Sequence, residues 1–112
     1  MSLENEFTNG IRIISPHGQL NSNNAGEVEN EILAWIGAGE RKMVLDMEHL
    51  EYISSAGLRV VLVAAKKLRQ EKGQLVLCAL SPSTQEVFEI SGFLTILDVV
   101  PTRAEALARI QA

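Results

Sequence analysis

Two adjacent serines, Ser54 and Ser55, are the residues whose type and position could do chemistry in this sequence. They precede Leu58, from which apolar residues recur at helical spacing, so they lie at the start of a predicted helix. The first turn of a helix carries unpaired N–H groups and a partial positive charge, and it therefore stabilises an anion. Each hydroxyl could cap the helix, or could carry a phosphate that those donors would bind.

The other reactive side chains do not form a recognisable site. His17 and His49 are far apart in the chain, and neither has the spacing of metal ligands. The single cysteine, Cys78, lies in the apolar run 74–80, where we expect it to pack as a small hydrophobic side chain. We therefore predict no metal site and no cofactor.

An enzymatic use of the serines is the least favoured alternative. A hydrolase would need a base, and His49 is the nearest candidate to Ser55 in sequence. The stretch 53–57 reads I-S-S-A-G and lacks the glycine that precedes the nucleophile in G-x-S-x-G. The sequence also contains neither a G-x-x-x-x-G-K-[ST] nor a G-x-G-x-x-G loop, so a phosphate would have to come from another protein. We predict a protein that is not an enzyme.

Length and composition limit the remaining possibilities. A chain of 112 residues with 46% hydrophobic content predicts one domain, residues 1–112, with a single core. A net charge of −4 and the lack of basic clusters with interleaved aromatic residues argue against nucleic acid binding. No apolar stretch is long enough to span a bilayer, and the polar start 1–6 is unlike a signal peptide. We expect no membrane insertion and, with one cysteine, a cytoplasmic protein.

Apolar periodicity and turn residues predict the elements around the serines. Strands over 4–8 and 11–20 form a hairpin at Asn9-Gly10, the dipeptide suited to a type I′ turn, and Pro16 makes the second strand irregular. The remaining elements are a helix 25–36, a central strand 42–47, a loop 46–52, a helix 54–72, a strand 75–80, a helix 82–91, a strand 94–100 and a terminal helix after Thr102.

This order, ββαβαβαβα, predicts an α/β fold with a mixed sheet, a hairpin at its start and about four helices. Functional loops of such sheets tend to follow the carboxyl ends of strands. The segments 21–24, 46–55 and 81–83 all have that position, so we expect them to form one face.

The run 44–58, V-L-D-M-E-H-L-E-Y-I-S-S-A-G-L, closely resembles the signature of STAS domains, in particular the bacterial anti-sigma factor antagonists. The segment 18–21, G-Q-L-N, resembles a G-x-L-D turn of the same family, and the element order agrees with its fold. The chain differs at Ser54 and Asn21, where the family often has Asp.

The resemblance implies a switch. In that family, a serine or threonine two positions before the Gly-Leu pair is phosphorylated by a kinase that doubles as the anti-sigma factor, and this position is Ser55, with Ser54 as the alternative. The unmodified protein binds the anti-sigma factor/serine kinase and frees the sigma factor, the phosphorylated protein dissociates, and a metal-dependent phosphatase of the PP2C type removes the phosphate. The residues expected to bind the partner are Asn21, Asn23, Asp46, Ser54, Ser55, Ala56, Gly57 and Arg59.

A second interpretation of the resemblance belongs to a different functional class. The chain could be a STAS subunit with a structural or regulatory role in a lipid-transport or transporter complex. The two serines would then serve only as helix caps, each contributing about 1 kcal/mol to stability.

Overall fold

The computed structural model of the protein describes residues 3–111, so residues 1, 2 and 112 of the predicted domain lie outside the described part. The strands are β1 (Leu3–Thr8), β2 (Ile11–Pro16), β3 (Gly18–Leu20), β4 (Lys42–Asp46), β5 (Leu50–Ile53), β6 (Gln74–Cys78) and β7 (Asp98–Val100). The helices are α1 (Ala25–Gly37), α2 (Ser55–Gln70), α3 (Pro82–Ser91) and α4 (Arg103–Gln111).

A five-stranded mixed sheet in the order β1-β2-β4-β6-β7 forms the centre of the molecule. Strands β1 and β2 pair antiparallel, and all the other pairs in this sheet are parallel. Asn9 (φ 52°) and Gly10 (φ 78°) connect the first two strands, and both have the positive φ that a type I′ turn requires. The predicted hairpin and the predicted α/β fold are confirmed.

A second, two-stranded parallel sheet joins β3 to β5. Two predictions were therefore wrong: the segment 11–20 is two strands and not one, and the predicted loop 46–52 contains most of β5. The chain leaves the large sheet after Pro16, which cannot continue a ladder of hydrogen bonds. In β5, Leu50 and Ile53 are buried while the two residues between them are exposed, so the strand lacks the alternation that reveals strands in a sequence.

The helices cover both faces of the large sheet, as parallel strands require. Helices α1, α2 and α3 contribute to one hydrophobic core, in which Ile32, Leu68 and Phe88 are almost completely buried. Helix α4 covers the other face with Ala106 and Ile110. The long helix that begins at the serines is therefore held between the sheet and α1.

The predicted strand 94–100 is shorter in the structure. Phe93–Thr95 form a 3₁₀ turn after Gly92, which has a left-handed conformation (φ 79°), and only Asp98–Val100 pair with β6. The apolar residues of this segment pack against the core around α2 from an irregular segment, so their hydrophobicity alone indicated a longer strand.

Candidate functional site

Helix α2 begins as the sequence predicts, with Ser54 at its N-cap. Ser54 has an extended backbone (φ −92°, ψ 176°), and its Oγ accepts a hydrogen bond of 3.4 Å from the Gly57 N–H. Its carbonyl oxygen accepts the Leu58 N–H at 2.9 Å. Both oxygens of Ser54 are therefore engaged in starting the helix.

Ser55 is the first residue of α2, and its side chain is exposed. Among residues 3–111, the Ser55 and Ala56 N–H groups have no hydrogen-bond acceptor, as expected for the first turn of a helix. Arg59 lies four residues later and is also exposed, so it shares a helix face with Ser55. The site thus combines an accessible hydroxyl, two N–H donors and a nearby guanidinium.

Gly57 allows α2 to approach the small sheet closely. A Cβ atom at this position would lie 2.7 Å from the Leu20 carbonyl oxygen and 2.7 Å from Ile53 Cγ1. The Ser54 N–H also donates to the Leu20 carbonyl at 2.9 Å. Glycine at 57 therefore has a packing role, and its buried position keeps it from contacting a partner directly.

Asn21 and Asn23 lie beside the start of α2, because Leu20 at the end of β3 pairs with Ile53 at the end of β5. The Asn21 side-chain oxygen accepts the Asn23 N–H at 2.9 Å, and the Asn24 side-chain oxygen accepts the Asn21 N–H at 3.0 Å. These bonds hold the turn between β3 and α1 in one conformation. Asn21 is half-buried and Asn23 is exposed, and both are next to the serines as predicted.

Asp46 is not part of the exposed surface around the serines. Its side chain is only 3% exposed, its Oδ2 accepts a bond of 2.8 Å from Arg103 Nε, and its Oδ1 accepts the Glu48 N–H at 3.0 Å. Arg103 also donates to the Ser15 hydroxyl at 3.0 Å. The expectation that Asp46 forms part of the partner-binding surface is therefore corrected, because a buried and paired carboxylate cannot reach a partner.

The hydrogen bond to Asp46 and the charge of this carboxylate raise the pKa of Arg103, whereas burial lowers it. Arg103 begins α4, which is 57 residues after Asp46. No local pattern in the sequence connects two residues so far apart. This ion pair was consequently missed.

His49 is not placed to act as a base for Ser55. Strand β5 separates the two residues, which corresponds to about 15 Å of extended chain. The His49 ring instead stacks on His17 with 4.7 Å between centroids.

Cys78 is completely buried, and desolvation followed by the charge of Asp46 raises the pKa of its thiol to about 12.

A groove of about 350 Å³ runs between β5 and α3. Its apolar lining includes Tyr52 and Ile90, which are 53% and 80% exposed, and Glu51 and Glu86 lie at its sides. Ser83 lines the same groove, so parts of two of the three segments expected to form one face, 46–55 and 81–83, lie side by side. The groove itself was missed, because the β5 strand was not recognised.

Within residues 3–111, no cluster of three or more His, Cys, Asp and Glu side chains could hold a metal ion. None of the helices in the same range is both long and apolar enough to cross a membrane.

Comparisons with known proteins agree with this architecture. Residues 2–106 match the STAS domain family. The chain is 52% identical over 108 residues to BtrV of Bordetella bronchiseptica, a protein whose name assigns it provisionally to the anti-sigma factor antagonists, and the match covers 96% of this chain and 93% of BtrV.

Two solved structures have the same fold at low sequence identity. One is a provisionally named anti-sigma factor antagonist of Thermotoga maritima (TM-score 0.94, 20% identity, 98% of this chain and 95% of that chain). The other is the Bacillus cell fate determinant SpoIIAA in its phosphorylated form (TM-score 0.78, 24% identity, 97% and 99%). The order of elements, the family match and the similarity to BtrV lead to one conclusion: the chain belongs to the STAS domain family.

Proposed function

We propose that this protein is an anti-sigma factor antagonist, and that phosphorylation of Ser55 controls its binding to an anti-sigma factor. The observation that carries the proposal is the exposed Ser55 hydroxyl at the N-terminus of α2, in a chain 52% identical to BtrV. SpoIIAA, a protein with the same fold, has a phosphorylated form whose structure is solved. The partner is then an anti-sigma factor that is also a serine kinase, and a PP2C-type phosphatase reverses the modification.

The two serines have different environments, and this difference favours Ser55 as the acceptor. The Ser54 oxygen is half-buried and accepts the Gly57 N–H, so modification of this residue would remove the cap of α2. The Ser55 side chain extends from the first turn without a capping role. A phosphate on Ser55 would meet the unpaired N–H groups and the positive end of the helix, which both favour negative charge.

The same phosphate would oppose a bound partner. Phosphorylation adds roughly −1.5 to −2 charge and three acceptor oxygens. A partner surface that packs on a small neutral hydroxyl would have to desolvate this dianion, which costs several kcal/mol if no cation compensates it. A loss of about 3 kcal/mol lowers the affinity roughly a hundredfold. The partner would thus be released without any refolding of the STAS domain.

The proposed contact surface is the part of the site that remains accessible. It consists of Asn21, Asn23, Ser54, Ser55, Ala56 and Arg59. Gly57 supports this surface from within by letting α2 pack on β3, whereas Asp46 fixes the 46–48 segment away from it. The protein's own role is regulatory binding, and the kinase and phosphatase supply the chemistry.

The experiment uses the purified protein together with the serine kinase that binds it and that the same genome encodes. We expect incubation with ATP to increase the intact mass by one phosphate, and tandem mass spectrometry to locate it on Ser55. Ser55→Ala should abolish labelling and retain binding. Ser55→Glu should weaken binding by about tenfold, less than the roughly hundredfold expected for the phosphate, because a single carboxylate carries less charge.

Ser54→Ala is the matched control. It should be labelled at Ser55 but should lower the free energy of unfolding by about 0.5–1 kcal/mol through loss of the cap. A Ser55→Ala protein that is labelled as well as wild type would refute the assignment of the acceptor. Stable recovery of the protein within a transport ATPase complex, with no kinase bound, would instead support the structural role.

A further inference from the structure

Four large hydrophobic side chains are exposed among residues 3–111: Phe7, Tyr52, Ile90 and Ile96. Ile90, near the end of α3, is the most exposed of them at 80%. Glu86 lies one helical turn before it on the same face of α3, Glu89 lies on the adjacent stripe of the helix, and both are exposed. We call Ile90 with Glu86 and Glu89 the acidic knob.

A second surface has the opposite charge. Leu62, Ala65, Ile96 and Leu97 line a pocket of about 280 Å³ between α2 and the segment after the 3₁₀ turn, and Lys66 and Arg69 complete its lining. Ile96 is 54% exposed. We call these six residues the basic pocket. The pocket lies along the C-terminal half of α2, and its α2 residues follow Ser55 by 7 to 14 positions, or about 10–21 Å along the helix axis. Leu62 is three residues after Arg59 on the same helix face, so the pocket adjoins the proposed contact surface without including Ser55.

The charges of both surfaces are available for pairing. Among residues 3–111, no ion pair involves Glu86, Glu89, Lys66 or Arg69. The Glu89 carboxylate accepts a bond from Gln85, and Arg69 makes only a long contact of 3.5 Å with the Ile96 carbonyl. Each surface therefore offers an apolar centre and two like charges that no side chain of the described molecule neutralises.

We propose that the acidic knob of one copy of this chain binds in the basic pocket of a second copy. Ile90 would bury its side chain among Leu62, Ile96 and Leu97, and the glutamates would pair with Lys66 and Arg69. The choice of a second copy rests on this complementarity of charge and hydrophobicity. Two different patches of one molecule that fit each other can close reciprocally into a dimer or continue as a chain of molecules.

One apolar anchor with flanking ion pairs forms a small interface, so we expect self-association only at high protein concentration. Analytical ultracentrifugation over a concentration series should show the mean mass rising above that of the monomer. High salt should weaken this association, because it screens the exposed ion pairs.

Ile90→Glu should lower the association constant at least about tenfold, as for a central interface residue. Phe7→Glu, at a residue 52% exposed on β1, is the control and should associate like wild type.

A charge-reversal pair separates this contact from general stickiness. The variants Glu86→Lys/Glu89→Lys and Lys66→Glu/Arg69→Glu should each fail to self-associate, because each places like charges on both surfaces. Mixed together, they should associate with each other at least as strongly as wild type does with itself. All the substituted residues are exposed or half-buried, and circular dichroism should verify that each variant is folded. A wild type that stays monomeric throughout the series, or a mixture that does not associate, would overturn the proposal. Neither result depends on the phosphorylation of Ser55.

Discussion

At the scale of single residues, Gly57 determines how closely α2 packs on the small sheet. A Cβ atom here would lie 2.7 Å from the Leu20 carbonyl oxygen, and a backbone atom within a parallel pair of strands cannot move away at low cost. Ser54, Ser55 and the 21–24 turn would all shift with such a movement. The position of the proposed phosphorylation site therefore depends on the absence of a side chain two residues later.

We predict that Gly57→Ala lowers the free energy of unfolding by about 1–3 kcal/mol, the usual cost of overpacking. Gly26→Ala is the matched control, because nothing lies within 4 Å of a Cβ there and alanine favours the helix whose first turn contains Gly26. It should stabilise the protein by about 0.5 kcal/mol. Urea unfolding followed by Trp35 fluorescence measures both. Equal stability of the two variants would contradict the close approach.

The thiol of Cys78 should be unreactive in the folded protein. Burial and the charge of Asp46 raise its pKa to about 12, so almost no thiolate is present at neutral pH. We predict that alkylation by iodoacetamide requires unfolding. Across a urea series, the alkylation rate should follow the fraction of unfolded molecules. Fast modification of the folded protein would show that the thiol is accessible.

The raised pKa also has a consequence for stability at high pH. A folded protein that keeps this thiol protonated binds more protons than the unfolded chain once the pH exceeds the ordinary value of 9.0. The free energy of unfolding should then decrease with rising pH, by up to about 1.4 kcal/mol per unit, until the pH reaches about 12. Below pH 9.0 this contribution is fully present. Cys78→Ala should lack this part of the decrease, and the difference between the two pH profiles is the measurement.

At the scale of elements, the ion pair between Asp46 and Arg103 joins the end of β4 to the start of α4. Arg103 also contacts Ser15 and Glu6, so β1 and β2 belong to the same network. Asp46 in turn holds the segment that leads to β5 through the Glu48 N–H. The network thus connects the terminal helix with the loop that leads to the small sheet.

We predict that Arg103→Met lowers the free energy of unfolding by about 3 kcal/mol, since it leaves the carboxylate of Asp46 buried without its cation. The value is at the lower end of the usual range because the Arg103 side chain is itself 41% exposed. Arg109→Met is the control, because the ion pair of Arg109 with Asp98 is more exposed and should contribute at most about 1 kcal/mol. Equal losses in the two variants would show that Asp46 does not depend on Arg103.

At the scale of the whole molecule, the proposed switch changes a surface and leaves the fold intact. The chain has a net charge of −4, and a modified Ser55 would add to it. The added charge lies at the positive end of α2, where it is locally favourable. Repulsion by the net negative charge and attraction to the helix end oppose each other. The attraction acts over the shorter distance and should be the larger effect.

We predict that Ser55→Glu keeps the far-ultraviolet circular dichroism spectrum of wild type and raises the free energy of unfolding by about 0.3–1 kcal/mol at low salt. High salt should reduce this gain. Thermal unfolding at two ionic strengths tests both statements. A destabilised Ser55→Glu protein would mean that the start of α2 does not tolerate negative charge, and phosphorylation could then act by local unfolding.

The sequence alone determined the elements that depend on neighbouring residues. Asn9-Gly10 specified the hairpin, the periodicity after Leu58 specified α2, and Ser54 and Ser55 were located at its start, since turn conformation, capping and amphipathic spacing act over a few residues. Only the tertiary structure decided that β3 and β5 pair, that Asp46 is buried against Arg103, and that Ile96 and Leu97 form a pocket with α2. These features depend on contacts between segments far apart in the chain, and no local pattern of residue types encodes such contacts.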